Sequence, residues 1–302
     1  MSLLSKLKAL VTDPPPEYAF EVSEAGIAYA RPGDGGPQWA PLTPGTLSVS
    51  PLGDNVTDPR QYEAAVRALA PASVGGKRRP AALILPDYAA RVAVLDFDTF
   101  PSDHDEQQQL ARFRVKRAVP FDIESALVSV HPQQRGDGSK KIDVVVAVIN
   151  MEVASHLEAP FRAAGFQCGF VTLSALAALG LQPSEEPKQA AVSIVAKLSG
   201  NVLALSLLQG NNLRMFRCVE LQDDSEGEAT NVLATTFAYA EDELGQKPQA
   251  LRLCGVPRES EELKRRWSVE LDIPVTGVKS KYGTPGAFNA GLAGYLETLE
   301  AS

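Results

Sequence analysis

The sequence predicts an α/β protein in which one order of elements is used twice, with a small α+β unit inserted into the first copy. Three observations predict it. Residues 191–220 carry three consecutive β-rich runs separated by short turn segments, and helix, strand and helix patterns follow. Residues 17–69 begin in a similar way, with paired β-rich runs ahead of a helix. Between the two, residues 81–168 alternate strands and helices in an order of their own.

Taken in order, residues 1–12 form an amphipathic segment in which Leu3, Leu4, Leu7, Leu10 and Val11 line one side and Lys6 and Lys8 flank it. At under a dozen residues it is marginal alone, so it docks on the body, touches a membrane surface or binds a partner helix. Asp13 to Pro16 break it. The first half, residues 17–80, opens with two strands within 18–31 joined near Glu24 to Gly26, then a Gly- and Pro-rich loop over 32–44 and a strand over 46–50. A helix over 58–69 has Asp58 as its cap and Pro59 at its first position.

Residues 81–168 are expected to be the inserted α+β subdomain. Ala82 to Leu85 and Val92 to Phe97 look like the arms of a hairpin about Pro86 and Asp87. Ser102 or Asp103 caps the next helix, and Pro120 ends it. Strands near 127–131 and 142–149 and a helix over 152–164 complete the unit. Residues 169–188 return the chain through a strand, a helix over 173–179 and a polar linker.

The second half, residues 189–302, begins with strands over 191–196, 202–209 and 213–220. An acidic loop over 223–228 leads to a helix over 230–244 that Gly245 can close. A strand over 250–254, a helix over 258–267, a short strand over 275–278 and a helix over 286–299 finish the chain.

Composition narrows the function classes. At 302 residues with 44% hydrophobic and 22% charged residues, the chain has room for about two domains. A formal net charge of −8 argues against a nucleic-acid partner bound through a broad basic surface, and the Lys77, Arg78, Arg79 run is expected to be a solvated linker. No run is apolar enough to span a bilayer, and Lys6 and Lys8 interrupt what would be a signal peptide's apolar centre, so a cytoplasmic location is expected. Cys168, Cys218 and Cys254 are odd in number and far apart, which suits reduced, buried thiols. His104, His131 and His156 have no zinc-ligand spacing, and no nucleophile-elbow, P-loop or dinucleotide fingerprint occurs.

The segment AALILPDYAARVAVLDFDTFPSDHDEQQQLARFRVKRAVPFDIE, residues 81–124, resembles the PilM family, the actin-like cytoplasmic component of type IV pilus assembly systems. Its features are a strand ending in LP, a strand ending in an acidic and an aromatic residue, a helix of the form R-F-R-x-K, and P-F-D. LGDNVTDPRQYEAAVRAL also resembles that family, and the close matches are Leu85 to Asp122 and Asn231 to Gly245. The resemblance implies a duplicated actin-like, RNase H-like fold and a scaffold that binds the cytoplasmic N-terminal segment of a PilN-like inner-membrane protein. The pilus motor ATPase is a further implied partner, and membrane association would run through such partners. The cytoplasmic actin-like component of a type II secretion system is an alternative, as is a general adaptor unrelated to pili.

The same resemblance implies where a nucleotide would sit. The first phosphate loop corresponds to residues 20–26, where Glu21 stands for the family's Asp, Ser23 follows, and Glu24 adds a negative side chain. The second corresponds to residues 195–201, where Ala196 cannot hold a metal's water, Leu198 crowds the backbone, and Lys197 and Gly200 remain. The adenosine loop keeps one glycine, Gly255. Glu21, Ser23, Lys197, Gly200 and Gly255 are therefore expected to form a vestigial nucleotide site in a pseudo-ATPase, with no catalytic residues, metal ligands or resident cofactor. An ATP-binding switch or ATPase with an altered Mg-ATP pocket is the alternative, since Lys197 could pair with a phosphate.

Overall fold

The computed structural model describes residues 15–34, 36–71, 78–135, 140–181, 191–222, 225–255 and 261–301. The expected amphipathic segment 1–12 and the polar linker 184–188 lie outside them. The first half holds β1 (Tyr18–Ser23), β2 (Gly26–Ala30), β3 (Gln38–Pro41), α1 (Pro59–Leu69) and β4 (Arg79–Leu85). Next come β5 (Arg91–Phe97), α2 (His104–Val115), β6 (Ala126–Gln134), β7 (Ile142–Asn150), α3 (Met151–Ala163), β8 (Phe166–Leu173) and α4 (Ser174–Ala177), which a 3-10 turn continues over Ala178–Leu181. The second half holds β9 (Val192–Ser199), β10 (Val202–Gln209), β11 (Asn212–Glu220), α5 (Ser225–Leu244), β12 (Leu251–Cys254), α6 (Glu261–Leu271), β13 (Val275–Gly277) and α7 (Ala290–Ala301).

The duplication is exact in strand order. One sheet runs β3-β2-β1-β4-β8 and the other β11-β10-β9-β12-β13. In each, three antiparallel strands precede two parallel ones. A third, antiparallel sheet, β5-β7-β6, is interposed in the chain between β4 and β8.

This pairing corrects the hairpin expected over 82–97. β4 pairs in parallel with β1 and β8, whereas β5 pairs with β7. The Pro86–Asp87 turn is therefore where the chain leaves one sheet for another. For the same reason β4 and β8, which the 81–168 boundary cut through, lie in the first sheet, and the third sheet with α2 lies between them. The expected strand at 46–50 is only a single bridge, Leu47 to Val56, and β3 forms inside the stretch read as loop. Arg79 is not linker: it starts β4, with its guanidinium 4.1 Å from the Phe166 ring centroid.

Alternation along the strands explains how the first sheet is covered on both faces. On β1 and β4, Phe20, Val22, Leu83 and Leu85 point to a core closed by α1 and α3, which supply Tyr62, Val66, Leu157 and Phe161. Ala19, Ala82 and Ile84 point the other way, onto Leu292, Tyr295 and Leu296 of α7. The C-terminal helix thus returns from the second half to cover the first. It can do so because of Gly291 and Gly294: a Cβ on Gly294 would lie 2.2 Å from the Ala177 carbonyl oxygen, and one on Gly291 would lie 2.8 Å from Ser174 Cα. α1 is capped by Asp58, which accepts from Arg60 N and Gln61 N, and α2 by Asp103, which accepts from Asp105 N and Glu106 N.

The third sheet is tied to the second half. The Gln133 side-chain amide accepts from Leu213 N at 3.0 Å and donates to Leu213 O at 3.1 Å, imitating a strand partner for β11. Beside it, buried Asp143 of β7 takes Arg135 on one oxygen at 2.5 Å and Arg214 of β11 on the other at 3.2 Å.

Candidate functional site

Two concavities flank the junction of the halves. The first is a cleft of about 430 Å³ whose walls include Glu21, Ser23, Lys197 and Gly200. Four of the five residues expected from sequence therefore meet in one place. Gly255 packs behind it instead: with φ at +79°, it lies so close that a Cβ would be 2.2 Å from the Leu198 carbonyl oxygen. Val256 and Pro257, which follow it, fall outside the described residues.

Strand alternation puts Glu21 on the face of β1 that also carries Ala19, toward α7. There Glu21 Oε1 accepts from the Ser174 hydroxyl, and Oε2 accepts from Leu292 N at 2.7 Å. Burial pushes the Glu21 carboxyl above its ordinary range, and the pull of Lys197 and these two donors only partly offsets it. Glu24 does face the cleft, with Oε1 accepting from Val49 N at 2.6 Å.

Lys197 lies on the face of β9 that also carries Val195, which packs on Ala175 of α4. Its ammonium is 3.0 Å from Asp87 Oδ2, and it also meets the Ser199 hydroxyl. Asp87 Oδ1 accepts from Ala175 N at 2.6 Å. Burial opposes the charge on Lys197, but the Asp87 and Glu21 carboxylates together outweigh it and hold the ammonium's pKa above its ordinary value. Ser199 Oγ donates to Ala287 O at 2.8 Å, carrying the network into the segment before α7. Asp87 and Ser174 are the residues that sequence reasoning missed. The available signal was an Asp directly after the apolar run LILP, which a buried strand exit makes costly unless the Asp has a partner.

The second concavity is an apolar groove of about 450 Å³. β6 and β8, each the last strand of its sheet, both line it, as do Leu208 and Leu213 of the second half. Leu127 of β6 and Val171 of β8 both line the groove while 49% exposed, so two half-exposed aliphatic side chains share one concavity. As an edge strand, β8 offers backbone N–H and C=O groups along one side, whereas on β6 the Ala126, Val128 and Gln134 carbonyls accept from Arg112, Gln108 and Asn212. Leu85 and Leu173 line the groove, whereas Asp87 and Ser174 line the cleft, so the chain at the ends of β4 and β8 borders both concavities. Among the described residues no group of three His, Cys, Asp or Glu side chains could hold a metal ion, and no helix is long and apolar enough to cross a membrane.

No family model and no curated protein matches the sequence. Solved structures do. The chain is similar to one in the PilM-PilN type IV pilus biogenesis complex, with TM-score 0.69, 16% identity, and 95% of this chain and 98% of that chain covered. It is similar to a protein of Bacteroides thetaiotaomicron with an actin-like ATPase fold and unknown function, with TM-score 0.54, 11% identity, and 92% and 94% covered. It is also similar to the cytoplasmic domain of EpsL, an inner membrane component of the type II secretion system of Vibrio cholerae, with TM-score 0.53, 12% identity, and 94% and 95% covered. At these identities the likeness establishes the fold, which is the duplicated actin-like fold.

Proposed function

We propose that this protein is a cytoplasmic actin-like scaffold of type IV pilus assembly that captures an extended apolar segment of a PilN-like inner-membrane protein. The observation that carries the reading is the groove lined by the edge strands β6 and β8, an apolar trough bearing half-exposed Leu127 and Val171. Such a trough suits a peptide that adds main-chain hydrogen bonds along an edge and seats alternate side chains. The likeness to a PilM chain solved with PilN supports this choice of partner. Contact with the membrane would follow from the partner.

In this reading the nucleotide site has decayed, and the protein works by binding rather than hydrolysis. The contacts in the cleft favour that: the Lys197 ammonium and Ala175 N–H are taken by Asp87, and both oxygens of Glu21 already accept. These residues do not fit a phosphate with its metal, because phosphate would compete with carboxylates of like charge.

The test is calorimetric titration with a synthetic peptide of the cytoplasmic N-terminal segment of the PilN-like protein from the same genome. Saturable binding that Val171→Asp abolishes is expected. Absence of binding to the wild-type chain, or binding that both Val171→Asp and Leu127→Asp leave unchanged, would refute the reading.

A further inference from the structure

Asp87 sits where two donors from different places converge. The Lys197 ammonium arrives from β9 of the second half, and the Ala175 N–H arrives from the start of α4 in the first. An ammonium and a backbone N–H aimed at one point form a seat for an anion. The side chains of Lys197 and Asp87 are 3% and 2% exposed, so the seat is dry and its occupant is held in a low dielectric.

We propose that the Asp87 carboxylate is the permanent internal anion of this seat, so that the two halves are clamped on each other by their own ion pair with no bound anion from solution. A tethered carboxylate has a large effective concentration, which a free phosphate or carboxylate must overcome. Displacing it would also leave the Asp87 charge buried without a counterion. The Ser199 hydroxyl, joined to Lys197 and to Ala287 O, and the Glu21 bonds to Ser174 and Leu292 N extend the clamp to the segment entering α7. α7 is the helix that crosses back over the first sheet, so the seat lies at the point where chain from both halves meets.

Chemical rescue tests it. Asp87→Ala opens room beside Lys197 for a small anion, and its thermal midpoint is expected to fall. Formate and inorganic phosphate should raise the midpoint in a saturable way relative to sodium chloride of equal ionic strength, and should slow hydrogen exchange at the Ala175 amide. The double variant Asp87→Ala, Lys197→Met should show no such gain over chloride. If Asp87→Ala does not fold unaided, refolding yield with formate against chloride supplies the same comparison. Equal effects of formate, phosphate and chloride on Asp87→Ala would overturn the proposal, as would equal rescue of the double variant.

Discussion

Lys197 Nζ of the second half lies 3.0 Å from Asp87 Oδ2 of the first, 110 residues away in the chain, and both side chains are excluded from solvent. A buried pair of this kind adds little over two well-packed apolar side chains, yet losing one partner strands the other charge. Lys197→Met alone is therefore expected to cost about 3–5 kcal/mol in denaturant unfolding. Asp87→Leu combined with Lys197→Met should recover most of that loss. Additive destabilisation in the double variant would show that the pair is not coupled.

Glu21 makes stability depend on pH. Its carboxyl is raised above the ordinary value of 4.5, first by burial, so the folded state holds this proton more tightly than the unfolded chain does. The favourable contribution is complete below pH 4.5 and is lost as the pH rises through the raised folded value. Glu21→Gln removes that titration. The stability of Glu21→Gln relative to wild type should therefore climb across this window in paired unfolding curves, and a flat difference would contradict the assignment.

Asp143 joins the third sheet to the second half by accepting from Arg135 on Oδ1 and forming an ion pair with Arg214 through Oδ2. Asp143→Ala leaves two largely buried guanidinium groups without their shared counterion and is expected to cost about 3 kcal/mol. Hydrogen exchange should rise most at β6, β7 and the facing part of β11. Uniform acceleration over the whole chain would mean that the contact is not local.

The thiols should be sluggish. Burial pushes Cys168 up to about 12 and Cys254 up to about 12, and it raises Cys218 as well. The thiolate fraction at neutral pH is then negligible. Cys254 is buried whereas Cys168 and Cys218, expected to be buried, are only half-buried. Labelling of Cys254 in the native protein with a disulfide reagent should be far slower than in denaturant, and its rapid reaction would locate an opening the folded structure does not contain.

The groove should be separable from the fold. Leu127 and Val171 are half-exposed edge-strand residues, so Leu127→Asp and Val171→Asp should each leave stability within roughly 0.5 kcal/mol of wild type. Loss of peptide binding together with unchanged unfolding curves is the expected result. Loss of both would show that these side chains serve the core.

Most strands and helices were legible because their signals are local. Val202 to Gln209 alternates against its neighbours, Asp58 and Pro59 mark a helix start, and Pro120 follows a helix end. What stayed hidden depends on distant partners. Nothing in residues 82–97 tells a hairpin from two strands in different sheets, because the deciding partners are β1, β8 and β7. β3 forms within a Gly- and Pro-rich stretch because β2 offers it an edge, an override that propensity does not carry. In the cleft, Lys197 was visible as an odd residue in a phosphate-loop position, but the partners that bury Asp87, Ala175 and Lys197, are 88 and 110 residues away in the chain.

The measurement that bears most directly on the account is calorimetric titration of the wild-type chain and of Lys197→Ala with Mg-ATP. No saturable heat is expected in either, since the cleft's donors are held by Asp87 and Glu21. Micromolar binding to the wild type that Lys197→Ala loses would contradict it, because Lys197 would then serve a phosphate and the chain would be a nucleotide switch.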